Sequence, residues 1–168
     1  MNDKVHLESL YQQLEALCGP VDMISRWLDF DYTDYYYKEM GAPLFRKVFA
    51  FKKLIEQGDL AAIKEKTNRI EKSFIDSQND TENRSVNIDP GYLLSSRFIL
   101  ATGKDYSHRI YIGRKIYADL TLMYAKNKGF VTLDWTYPDY ASDAILDFLS
   151  KVRDKYLLDL KHTKGTKL

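Results

Sequence analysis

The chain is short of cysteine, of net charge and of long apolar runs, and each shortage removes a class of protein. One cysteine, Cys18, leaves no internal disulfide framework and no thiolate metal site within one chain. Its position beside a helix C-terminus disfavours a thiolate and fits a small buried hydrophobe. Lys and Arg number 25 against 24 Asp and Glu, a net charge of +1, so no global field recruits nucleic acid or a membrane surface. No stretch approaches the ~20 apolar residues that span a bilayer. The opening residues, Met1-Asn2-Asp3-Lys4-Val5-His6, are polar and do not read as a secretory leader, so the expected address is the cytoplasm. His6, His108 and His162 lie far apart, with no H-x-x-x-H or H-E-x-x-H spacing for a metal. No G-x-S-x-G elbow offers a nucleophile.

What the chain does have is tyrosine, 13 in 168 residues. Each brings apolar area and a hydroxyl that needs a partner when buried. Seven of them lie in a set of short blocks that crowd aromatics against charged and amide side chains: 30–36, 67–71, 86–92, 104–109 and 134–140. An ordinary core does not need such mixtures, because every buried polar atom must be satisfied. Five such blocks imply one shared polar site or a rigid aromatic scaffold.

Periodicity gives the element order. Leu7, Leu10, Tyr11, Leu14 and Leu17 predict a helix over 5–18, stopped by Gly19 and Pro20. Residues 21–30 are extended, and 44–51 reads as a central strand with apolar residues of both parities. Asp59 caps a second helix with the stripe Leu60, Ile63, Thr67, Ile70 and Phe74. Residues 78–84 form a loop. Extended runs follow at 92–102, 109–113, 115–124 and 130–133, and Ser142 caps a last helix carrying Ile145, Leu149, Val152, Tyr156 and Leu160. The expected fold is α+β, a mostly antiparallel sheet with packed helices and ferredoxin-like elements. Residues 1–160 form one domain and 161–168 a flexible basic tail. Helix-strand-strand-helix-strand is a split ferredoxin-like unit without its opening strand. Either the chain was truncated upstream or another strand fills that edge, which predicts a homo-oligomer through the edge or a covering segment.

Five blocks together resemble a prokaryotic family catalogued as domain of unknown function 4416. They are Phe30-Asp31-Tyr32-Thr33-Asp34-Tyr35-Tyr36 with Glu39-Met40-Gly41, Lys64 with Thr67-Asn68 and Glu71, Val86-Asn87-Ile88-Asp89-Pro90-Gly91-Tyr92, residues 101–111, and Trp135-Thr136-Tyr137-Pro138-Asp139-Tyr140. The resemblance covers roughly residues 10–155. It implies a hydrophobic strand before the first helix, within which this chain begins. It implies no activity. Some members carry a GTP-binding label, but G-x-x-x-x-G-K-[ST] is absent here.

The densest charged cluster is Lys104, Asp105, His108 and Arg109. His108 has the chemistry of a general base, Asp105 of its orienting partner, and Lys104, Arg109 and Arg84 of anion ligands. Asp89 is a third candidate for proton or metal chemistry, beside Asn87. Asn68 and Glu71 share one helix face three residues apart. Tyr35, Trp135 and Tyr137 are candidates to stack a base or sugar ring. Asp34, Glu39, Asp89 and Asp119 form the weakest set, for a hard cation. No cofactor is specified. The bland alternatives are a polar hairpin at 104–109, turn chemistry at Asp89-Pro90-Gly91 and half-buried edge aromatics at 135–140. Tyr137-Pro138 is a candidate cis bond.

Two functions follow. The first is a protein that binds, and acts on, a small anionic, nucleotide-like ligand in a polar-aromatic cleft. The second is a non-catalytic interaction module with a Tyr/Trp-rich partner surface. A deep cleft gathering the charged blocks favours the first, and an exposed aromatic patch the second.

Overall fold

The computed structural model describes residues 1, 7–33, 37–75 and 84–165, with the main chain alone at Lys38 and 163–165. The element order is α1 (Leu7–Cys18), β1 (Val21–Ile24), β2 (Leu28–Asp29), α2 (Tyr37–Met40), β3 (Phe45–Arg46), β4 (Phe49–Phe51), α3 (Leu60–Ser73), β5 (Gly91–Leu94), β6 (Arg97–Thr102), β7 (Arg109–Tyr111), β8 (Tyr117–Ala125), β9 (Gly129–Val131) and α4 (Asp143–Gly165). This is α+β, and every described strand pair is antiparallel. The main sheet runs β5-β6-β8-β7, with β9 also on β8, while β1 pairs with β4 and β2 with β3.

Helices cover both faces of the main sheet. On one face α3 presents Leu60 and Ala61 to Ile99, Ala101 and Ile116. On the other, Ile145, Phe148 and Leu149 of α4 meet Phe98, Leu122 and Phe130. The expected two-sided strand at 44–51 is two short strands, β3 and β4, with both faces used: Val48 and Ala50 pack on the α4 cluster, Phe49 and Phe51 on Leu10, Leu14 and Val86. Met1 exchanges main-chain hydrogen bonds with Phe45 at 2.8 and 3.0 Å.

Several local details differ from the pattern-based expectations. The extended run at 92–102 is a hairpin turning at Ser95-Ser96. Asp59 ends a short 3-10 turn, Gln57–Asp59, and its side chain caps nothing. The Ser142 hydroxyl donates to the Asp139 carbonyl, turning away from the helix start. Pro90 and Gly91 are not a turn. Pro90 O takes Ala101 N–H at 2.8 Å, and a Cβ at Gly91 would collide with the Ile99 carbonyl. Close approach of two backbones, not turn chemistry, requires that glycine. The cis bond is Ala42-Pro43, and Tyr137-Pro138 is trans. The last helix covers residues 161–165 of the expected basic tail, and 166–168 lie outside the described residues, as does most of the loop at 78–84. Among the described residues no helix is long and apolar enough to cross a membrane.

Candidate functional site

The site begins with an irregularity in β8. Phe98 pairs with Leu122 but Ile99 pairs with Leu120, so Thr121 is an extra residue, a bulge. Strand β7 pairs with β8 only at 117–119 and β9 only at 123–125, leaving the carbonyls between them without a strand. The 133–136 segment fills that gap. Trp135 Nε1 donates to Leu120 O at 2.8 Å, Thr136 Oγ1 to Thr121 O at 2.6 Å, and Leu133 N to Thr136 Oγ1 at 2.8 Å. Side chains thus satisfy backbone acceptors that the bulge strands, which is the physical reason for a Trp-Thr pair there.

With its N–H anchored, the Trp135 indole is a fixed wall. His108 stacks on it, ring centroids 5.0 Å apart and 13° between planes, and Tyr106 lies 6.1 Å beyond. Behind the imidazole, buried Asp119 accepts Arg109 Nε at 2.8 Å, while His108 Nε2 stands 3.5 Å from the same oxygen. Arg109 Nη1 also donates to Lys104 O at 3.1 Å, and its guanidinium lies 4.8 Å from the Tyr106 ring centroid. Burial, and after it the Asp105 carboxylate nearby, raise the Tyr117 hydroxyl above its ordinary value. His108 Nε2 is buried and makes no hydrogen bond among the described residues. Lys104, Asp105, His108, Arg109, Asp119 and Trp135 therefore converge in one region.

A second network forms on α3 and residues 84–89. Glu71 is buried at its centre. It accepts Arg84 Nη1 at 2.6 Å and Ile88 N–H at 2.8 Å, with Lys64 Nζ at 3.5 Å. Arg84 also forks onto Glu39, Nη2 to Oε2 at 3.0 Å, and reaches Asn87 Oδ1 at 3.4 Å. Those bonds hold the Glu39 carboxyl below its usual range. Asn87 Nδ2 donates to Asp89 Oδ2 at 2.9 Å. Nearby, Arg46 lies between the Phe30 and Tyr140 rings, 4.8 and 4.7 Å from their centroids, and pairs with buried Asp139. Burial lifts the Asp139 carboxyl above its usual range, Arg46 opposes this, and the Asp89 charge adds to the rise.

The two networks are separate. Gly91, Leu100, Asp119 and Arg109 lie in one row across the sheet, so β5 and β7 stand three strand spacings apart, roughly 14 Å. Every block that is described enters one network or the other. A family model, domain of unknown function (DUF4416), matches residues 1–156. The chain belongs to the DUF4416 family. No curated protein and no solved structure matches it.

In this DUF4416 chain, the sequence-predicted residues thus divide three ways. His108, Asp105, Lys104, Arg109, Asp119 and Trp135 form the first network, with Tyr137 exposed at its margin. Asp89, Asn87, Arg84, Glu71 and Glu39 form the second. Asn68 belongs to neither and lines a depression with Gly103 and Arg114. Tyr35 and Asp34 lie outside the described residues. Among the described residues no three His, Cys, Asp or Glu side chains gather as a metal site. A cavity of about 520 Å³ lies between β3–β4 and residues 86–94; it takes Asn87 and Asp89 but not the His108 cluster, and most of its wall is apolar. Burial raises the Cys18 thiol above its ordinary value.

Sequence reasoning missed Lys64, Arg46 and Asp139 as polar network members. Lys64 carried a readable signal: with Leu60, Thr67 and Glu71 it sits at i, i+4, i+7 and i+11, so the buried stripe of α3 contains a Lys–Glu pair.

Proposed function

We propose that this protein is a non-catalytic interaction module whose partner surface is the aromatic platform at the β7 edge. The observation that carries this reading is exposure on a rigid base. Tyr106, Tyr111 and Tyr137 are 58%, 59% and 56% exposed, and Tyr106 lies 6.1 Å from the His108 ring that stacks on the anchored Trp135. Exposed aromatics gathered on one fixed base mark a partner surface more often than singly scattered ones do. Tyr and Trp bring contact area at low entropic cost, the chemistry of protein-binding hot spots. Arg109, the natural anion ligand nearby, is engaged by Asp119, Lys104 O and Tyr106.

The test is a triple variant, Tyr106→Ser, Tyr111→Ser and Tyr137→Ser, compared with wild type by crosslinked affinity capture and sedimentation. The reading expects a discrete partner, or a second copy of this chain, that the variant loses while its denaturation midpoint barely moves. Unchanged association in the folded variant overturns it.

A second reading, a small anionic, nucleotide-like ligand at His108, is favoured by one observation: the buried Nε2 that makes no hydrogen bond. A thermal-shift screen of nucleotides, phosphorylated metabolites and divalent cations tests it, because native-state ligands raise the midpoint. A response that His108→Ala abolishes supports it, and no response in wild type counts against it.

A further inference from the structure

A depression of about 320 Å³ lies between the C-terminal half of α3 and the β7–β8 hairpin. Arg69 and Lys72 line it from the helix, Arg114 and Lys115 from the hairpin tip, with Asn68 and Gly103 between them. The chain as a whole is almost neutral, so this concentration of charge is local. One carboxylate answers it: Glu65, whose Oε2 accepts Arg114 Nη1 at 2.6 Å. Four cations less one carboxylate leave a surplus of three positive charges around a single hollow. Like charges held around one hollow repel, unless an anion sits among them.

The hairpin tip is a second, separate observation. Ile116 N–H bonds to Gly113 O at 2.9 Å, which makes Arg114 and Lys115 the two central residues of the turn. Both have φ of 58°, the left-handed region. Such turns favour Asn-Gly, and a long side chain there is strained. Two cations thus occupy positions that smaller residues fit without strain, and strain of this kind clusters at ligand clamps. The wall at Gly103 is open, since a Cβ there would meet nothing within 4 Å.

We infer that this depression binds the phosphoryl groups of a small phosphorylated molecule carrying a di- or triphosphate. The surplus charge exceeds what a single carboxylate would balance and matches a pyrophosphate unit. Arg69 offers a fork to phosphate oxygens, Lys72 and Lys115 act as point charges, and the Asn68 amide supplies a neutral donor. The site shares no residue with the aromatic platform, so it stands whether or not that surface takes a partner.

The experiment is an amide NMR titration of the whole protein with inorganic pyrophosphate at fixed ionic strength, with sulfate and single-stranded RNA in parallel. Saturable shifts are expected at Asn68, Gly103 and Lys115, with sulfate weaker. Arg69→Gln with Lys115→Gln should weaken binding at least tenfold, and Glu65→Gln should tighten it several-fold by freeing Arg114. Lys115→Gly provides a check that does not depend on a damaged fold: it relieves the turn, so its denaturation midpoint should rise while its pyrophosphate response falls. Shifts that fail to saturate, shifts unchanged in the double variant, or RNA binding without a pyrophosphate response would each overturn the inference.

Discussion

The His108 imidazole lies flat on the Trp135 indole, 5.0 Å between centroids and 13° between planes, and the indole N–H is tied to Leu120 O. One bulge in β8 thereby fixes the orientation of an aromatic pair at the sheet edge. Trp135→Phe keeps a ring but loses the hydrogen bond, and should cost about 1 kcal/mol. Trp135→Ala loses the stack as well and should cost about 2–3 kcal/mol. Urea denaturation of the two variants measures the difference; equal costs would mean that the indole N–H does not anchor the platform.

The two residues behind His108 should behave unequally. His108→Ala strands no hydrogen-bond partner at Nε2 and loses mainly its ring contacts, about 1 kcal/mol. Asp119→Ala leaves the Arg109 guanidinium buried without its carboxylate and should cost about 3–5 kcal/mol. Denaturation midpoints check the ranking, and a His108 variant as damaging as the Asp119 variant would contradict it.

These relationships were only partly legible in the sequence. The α+β class and the three long helices follow from periodicity, because one face of each helix must be buried. The β5–β6 hairpin was hidden because Ser95-Ser96 carries no Asn-Gly signal. The β8 bulge was hidden because Leu120, Thr121 and Leu122 suit a regular strand as well as a bulged one. The charged candidates were visible as residue types, but their partners were not. Arg84 and Glu39 are 45 residues apart in sequence, and only the fold brings them together. The two-network division depends on strand order, which no local pattern encodes.

Acid should probe the second network. Arg84 holds the Glu39 carboxyl below its ordinary value of 4.5. A carboxyl depressed in the folded state adds stability above its unfolded pKa, and that stability is lost as pH falls through the lower folded value. Wild type should therefore exceed Glu39→Gln in stability at pH 7, and the gap should close below pH 4.5. Asp139 works in the opposite sense: its raised carboxyl favours the folded state as pH falls. Denaturation curves of both proteins from pH 7 to pH 3 test this, and a gap that widens in acid would contradict it.

The hairpin tip makes a prediction about stability alone. Lys115 holds φ of 58° in an exposed turn. Lys115→Gly removes that strain and should stabilise the protein by about 1 kcal/mol. A lower midpoint in the glycine variant would show that the turn is not strained.

The central claim is that the platform around Trp135 meets a protein partner. Placing a photo-crosslinking amino acid at Tyr106, with Lys126 on the β8–β9 turn as the control position, and irradiating intact cells tests this most directly. The account predicts a discrete adduct of defined mass from Tyr106, absent from Lys126 and lost when Tyr111→Ser and Tyr137→Ser are added. No adduct, or the same adducts from both positions, would contradict it.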